Sequence, residues 1–63
     1  MKADIITIGD EILIGHILDS NSFWLSSELD KNGISVRKIS TISDSKFQII
    51  ETIKSSLKKS DLI

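Results

Sequence analysis

"TIGDEILIGHILDSNS", Thr7 to Ser22, decides how this chain folds. The apolar, β-branched run Ile5-Ile6-Thr7-Ile8 stops at Gly9, and two carboxylates, Asp10 and Glu11, follow at once. Three more apolar residues, Gly15, the sole histidine (His16) and the polar cluster Asp19-Ser20-Asn21-Ser22 complete the stretch. An apolar run that ends in glycine and then opens onto helix-capping residue types is the pattern of a strand leading into a helix. The open question is whether the polar part holds a ligand or only punctuates the chain.

Working outward, residues 3 to 8 lack clean alternation, which predicts a strand covered on both faces, as in a parallel sheet. Residues 19 to 32 read as a helix with Asp19, Ser20 or Asn21 as N-cap. Leu18, Ser22, Leu25 and Leu29 fall at helical spacing, with Trp24 flanking that stripe. Gly33 suits the left-handed position just past the helix end. Asn32-Gly33 as a hairpin turn is the alternative, disfavoured by the long helical pattern before it.

Residues 34 to 42 form a second strand, with Ile34, Val36, Ile39 and Ile42 as inward candidates. Its alternation breaks around Arg37-Lys38. Ser43-Asp44-Ser45 opens a second helix, and Ser45 with Gln48 fits a capping box. Ile49, Ile50, Ile53 and Leu57 make its apolar stripe. Ser60-Asp61 ends it, and Leu62-Ile63 reads as the first step of a third strand.

Strands alternating with helices imply right-handed crossovers and a parallel sheet, hence the α/β class. Two parallel strands with two helices leave open sheet edges and half-covered apolar faces. Residues 1 to 63 therefore read as a partial domain, β-α-β-α-(β), interrupted at the start of the third strand. A homo-oligomer formed through an open sheet edge or a helix face would also cover those surfaces.

Composition narrows the function classes. Sixty-three residues allow one domain at most. There is no cysteine, and one histidine cannot build a zinc cage. The formal net charge of -1 offers no general attraction for nucleic acid. Lys54, Lys58 and Lys59 read as a solvated helix face near a helix C-terminus. The apolar runs are too short to span a membrane, and Met1-Lys2 leads straight into the first strand, so no secretory signal is expected. The expected setting is soluble and cytoplasmic.

In open parallel sheets, ligands sit beyond the carboxyl ends of the strands. Gly9-Asp10-Glu11 and Ser43-Asp44-Ser45 both follow such ends. If the strands are neighbours, Asp10 and Asp44 share one rim, where carboxylates can hold a hydrated divalent cation that bridges to phosphate oxygens. Helix N-termini there offer backbone N–H groups, and Gly9 and Gly15 permit close backbone approach. The plainer readings stand beside these. Asp44 is then a helix cap, Asp10 and Glu11 are solvated loop acids, and Asn21 and Ser22 are first-turn residues. His16 is a surface or hydrogen-bonded structural histidine, and Trp24 is a packing or interface residue. The chain carries no G-x-G-x-x-G, no P-loop and no G-x-S-x-G.

"TIGDEILIGHILDSNSFWLSSELDKNGISVRKISTISD" resembles the N-terminal segment of the competence/damage-inducible protein CinA family, within the molybdopterin-binding (MoaB/MogA-like) superfamily. The resemblance covers essentially the whole chain. Its specific part is the combined pattern G-D-E-[IL]-L-x-G-x-x-x-D-x-N-S, followed by L-x-x-x-G-I-x-V and the aspartate after the second strand.

This resemblance implies a three-layer α/β domain with a mostly parallel sheet, in place of the receiver-like or flavodoxin-like rival. It implies a small-molecule ligand, either a nucleotide or a pterin such as molybdopterin. It also implies, for the complete domain, an ADP-ribose pyrophosphatase activity that needs a divalent metal of the Mg or Co type. Carried over residue by residue, Gly9, Glu11, Asp19, Asn21 and Ser22 fall in the ligand-binding motif. Asp10 and Asp44 become the catalytic and metal-binding pair. The family's glycine-rich phosphate loop belongs to a third-strand segment beyond Ile63. A non-catalytic molybdopterin- or nucleotide-binding module, or an inactive truncated fragment, are the alternatives.

Overall fold

The computed structural model describes residues 1–15 and 18–63. The reading of His16 as a surface or structural histidine lies outside the described residues. The elements are β1 (Lys2–Ile8), α1 (Asp10–Leu13), α2 (Ser20–Lys31), β2 (Ser35–Ile42) and α3 (Lys46–Lys59).

β1 and β2 pair in parallel, from Lys2 opposite Ser35 to Ile8 opposite Ile42. The register shifts between Ala3 and Asp4, because Ala3 pairs with Val36 and Asp4 with Lys38. Arg37 is the extra residue of a β-bulge. The expected third strand has its first rung: Leu62 forms a parallel bridge with Ala3. Asp4 N–H donates to the Leu62 carbonyl at 2.9 Å, and Leu62 N–H donates to the Lys2 carbonyl at 3.1 Å. β1 is therefore central, with β2 on one edge and Leu62 on the other.

That order sets the layers. The α2 connection steps from β1 outward to β2, whereas the α3 connection steps back across β1. Right-handed crossovers taken in opposite directions put the two helices on opposite faces of the sheet. The expected partial α/β architecture is thus the observed one.

Helix ends follow the sequence closely. Asp19 caps α2, its Oδ1 accepting from Ser22 N–H at 3.1 Å. Gly33, at φ 76°, closes α2 in the left-handed conformation. Gly33 N–H donates to the Asp30 carbonyl and Ile34 N–H to the Leu29 carbonyl. This pair of bonds is a Schellman motif, so Asn32-Gly33 ends a helix and does not turn a hairpin. Ser45 caps α3, its hydroxyl accepting from Gln48 N–H. The capping box is not reciprocal: Gln48 reaches past Ser45 and its Oε1 accepts from Ser43 N–H and Oγ.

The expected core needs correction. Among the described residues only Ala3 and Ile5 are buried hydrophobic residues. Leu18, placed in the α2 stripe from its spacing, lies outside the helix and is 88% exposed. Leu25, Ile39, Ile50, Ile53 and Leu57 are exposed, and Trp24, read as a packing or interface residue, is 63% exposed within the chain. A sheet of two strands and one bridge is too narrow to cover both helices. The helix positions that do reach burial are serines: Ser22 in α2 and Ser56 in α3, each 4% exposed. A further difference is α1, a single helical turn directly after Gly9 that periodicity did not mark.

Candidate functional site

The carboxyl ends of β1 and β2 stand side by side. Gly9 N–H donates to the Ile42 carbonyl at 3.1 Å, which carries the ladder one residue past β1. Asp10 is the next residue after Gly9, and Asp44 lies two residues past Ile42. Both side chains therefore start from one rim of the sheet, and both residues are exposed. The capping reading of Asp44 is overturned, since Ser45 caps α3 and leaves the Asp44 carboxylate turned to solvent.

Gly9 is buried and extended, with φ 163°, a conformation open to any residue. The expected need for glycine at this position therefore does not arise from its backbone. What crowds it is Glu11, which folds back until its Oε1 lies 2.8 Å from where a Gly9 Cβ would sit. Gly15 is the glycine whose backbone demands it, at φ 81° after the single turn of α1.

Asp19 belongs to the N-terminus of α2, where its carboxylate is engaged as a cap. Asn21 is exposed in the first turn of that helix. Ser22 differs from its neighbours: it is buried, and its Oγ has no hydrogen-bond partner among the described residues. Buried hydroxyls without partners are costly and rare enough to need a reason.

Asp10 and Asp44 are the rim residues that could hold a cation. Among the described residues no three His, Cys, Asp or Glu side chains gather into a metal cage. Two exposed carboxylates match the sparse protein donor set of a Mg-type ion, which keeps several waters and completes its shell with ligand phosphates. They do not match a structural zinc site.

One charged cluster escaped the sequence reading. Asp4 is buried in β1 at 2% exposure. Arg37 Nε donates to its Oδ1 at 2.9 Å, Arg37 Nη2 donates to Oδ2, and Ser60 Oγ donates to Oδ1. Hydrogen bonds from Arg37 hold the Asp4 carboxyl well below the usual carboxylate range, against burial, which pushes it up; the Ser56 and Ser60 hydroxyls add to the lowering. The signal was present: an acid inside an apolar strand and a cation where the second strand's alternation fails. Only the bulge, which shifts Arg37 out of register, lets the two meet. This cluster ties β1 and β2 to the end of α3, at the opposite end of the strands from the rim.

Sequence comparison completes the picture. Residues 4–63 match the family model described as a probable molybdopterin binding domain. The chain belongs to the molybdopterin binding domain family. Within this family it is similar to CinA-like proteins. It is 49% identical over 61 residues to the CinA-like protein of Cytophaga hutchinsonii, covering 97% of this chain and 15% of that protein. It is 46% identical over 63 residues to the one from Flavobacterium psychrophilum, covering 100% of this chain and 15% of that protein. It is 44% identical over 63 residues to the one from Chloroherpeton thalassium, with the same coverage. The chain thus spans about 15% of the length of these curated relatives. No described helix is long and apolar enough to cross a membrane.

Proposed function

We propose that this CinA-like segment of a molybdopterin binding domain forms one wall of a site for a phosphorylated small molecule, a nucleotide or a pterin. In the complete domain that site acts as a metal-dependent ADP-ribose pyrophosphatase. The observation that carries this reading is the Gly9 to Ile42 hydrogen bond, which sets Asp10 and Asp44 on one rim while Ser45 takes over the capping of α3. A divalent cation held by these two carboxylates would supply charge neutralisation and polarisation at the phosphoryl group. Asp19, Asn21 and Ser22 at the start of α2 would orient the rest of the ligand, and the Ser22 hydroxyl, without a partner among the described residues, supports a polar occupant beside that turn.

The test supplies ADP-ribose and Mg²⁺ to a complete domain that carries this segment. Turnover is expected to need the metal and to be lost in Asp10→Asn and Asp44→Asn while the fold persists. Unchanged turnover in both variants would sink the metal role. A second reading, binding without turnover, is favoured by the small donor set, since no third metal-ligating side chain joins the two acids among the described residues. Titration calorimetry showing stoichiometric ligand binding without product would decide for it.

A further inference from the structure

Asn32 and Gly33 form the junction between α2 and β2, and both are exposed. An asparagine followed by glycine carries latent chemistry, because glycine has no side chain to shield its nitrogen from the neighbouring amide carbon. The junction holds that chemistry shut. Asn32 Nδ2 donates to the Glu28 carbonyl at 2.8 Å, which ties the side-chain amide back along the helix. Gly33 N–H donates to the Asp30 carbonyl at 3.1 Å, and Ile34 N–H to the Leu29 carbonyl at 2.9 Å. A five-membered ring through Asn32 and Gly33 needs the Gly33 nitrogen eclipsed with Asn32 Cβ. At the Asn32 ψ of 15° that nitrogen is nearly eclipsed with the Asn32 main-chain nitrogen instead. Closing the ring therefore requires the Gly33 peptide to rotate, which breaks the Schellman bonds.

We propose that Asn32 is a site of spontaneous deamidation gated by the C-cap of α2: it is inert while the cap is closed and converts only when the last turn of α2 opens. In the open state solvent base removes the Gly33 amide proton, and the nitrogen attacks Asn32 Cγ. The N–Cγ bond forms, the Cγ–Nδ2 bond breaks, and Nδ2 leaves as ammonia with a proton returned from solvent. Water then opens the cyclic imide at either carbonyl, leaving aspartate or isoaspartate at position 32. Neither product rebuilds the cap. Both lose the amide donor to the Glu28 carbonyl and put a negative charge at the helix C-terminus, where the macrodipole opposes it. Isoaspartate also inserts a methylene into the main chain ahead of Gly33, which displaces both Schellman donors. The step is one-way, and it loosens the junction just before Ser35, whose N–H opens the pairing of β2 by donating to the Met1 carbonyl. This proposal is independent of the phosphate-ligand reading, because α2 starts beside the rim and ends at the other end of the strands.

The test uses the complete protein that carries this segment, with a synthetic peptide of residues 29–36 as the ungated reference. Both are held in mildly alkaline buffer. Conversion in the protein is read by mass spectrometry on the Leu29–Glu51 fragment released by a glutamate-specific protease, with isoaspartate separated by chromatography. Deamidation of the folded protein is expected to run at least about tenfold slower than that of the peptide. The slowing should match the protection of the Gly33 amide against hydrogen exchange, because one opening controls both reactions. Urea should return the rate to that of the peptide, and Asn32→Gln should block conversion. Asn32→Asp, which reproduces one product, should speed exchange at the Gly33 amide by about two- to fivefold while the Ile5 amide in β1 keeps its protection. Conversion at the peptide rate beside a protected Gly33 amide would overturn the gate, as would a rate far below what Gly33 protection allows. No conversion in urea would overturn the site itself.

Discussion

Arg37 grips both carboxylate oxygens of Asp4 through two hydrogen bonds, and it reaches them because it is the bulged residue between Val36 and Lys38. A bidentate guanidinium–carboxylate pair is the strong form of such contacts. Removing one partner leaves the other charge buried and unpaired. Arg37→Ala should therefore lower the thermal midpoint clearly, and Arg37→Lys should recover only part, because lysine cannot form the planar fork. Thermal unfolding by circular dichroism measures both.

Asp4 also makes stability depend on pH. Its folded pKa is depressed by the Arg37 hydrogen bonds, whereas an unfolded aspartate titrates near about 3.9. Above that unfolded value both states are ionised and the contribution is fully present. As pH falls below it, the unfolded chain takes up a proton that the folded chain refuses, so stability declines towards the folded pKa. Melting curves from pH 6 down to about pH 2 should fall less steeply in Asp4→Asn than in the wild type.

Ser22→Ala should leave stability unchanged or raise it by about 1 kcal/mol, since it removes a buried hydroxyl that has no partner among the described residues. Urea denaturation reads this directly. If Ser22 contacts the ligand, the same variant weakens ligand binding, a combination that a purely structural serine would not produce.

Asp19 separates capping from ligand contact in the same manner. Asp19→Ala should cost about 1 kcal/mol through loss of the α2 cap, while Asp19→Asn should keep the cap nearly intact. Equal stability of wild type and Asp19→Asn, with weaker ligand binding in Asp19→Asn, assigns the carboxylate charge to the ligand.

Two glycines should respond differently to alanine. Gly33→Ala forces a Cβ into the left-handed region and should cost about 1–2 kcal/mol, although the space around it is open. Gly9→Ala should cost less, because its backbone is extended and the crowding group is the movable end of Glu11. Paired denaturation curves settle the ranking.

Much of this was legible in the residues themselves. Capping types at Asp19 and Ser45, the left-handed Gly33 and the strand runs on either side are local signals, governed by a few neighbouring φ/ψ choices and hydrogen bonds. They set the element order, and the alternation of strand and helix set the parallel topology. The α1 turn was not legible, because four residues are too few to show a helical period. Leu18 and Ile39 were misplaced for a different reason. Leu18, Leu25 and Leu57 are apolar by type, but burial needs a surface to bury against, and a narrow sheet does not provide it.

The sequence by itself determined which segments become strands and the two long helices, where those helices start and stop, and the family to which the chain's motif points. Tertiary structure alone decided that Asp10 and Asp44 share a rim and that Arg37 meets Asp4. Each of these depends on strand register. A shift of one residue, such as the bulge at Arg37, redirects side chains between faces, and no local propensity encodes it.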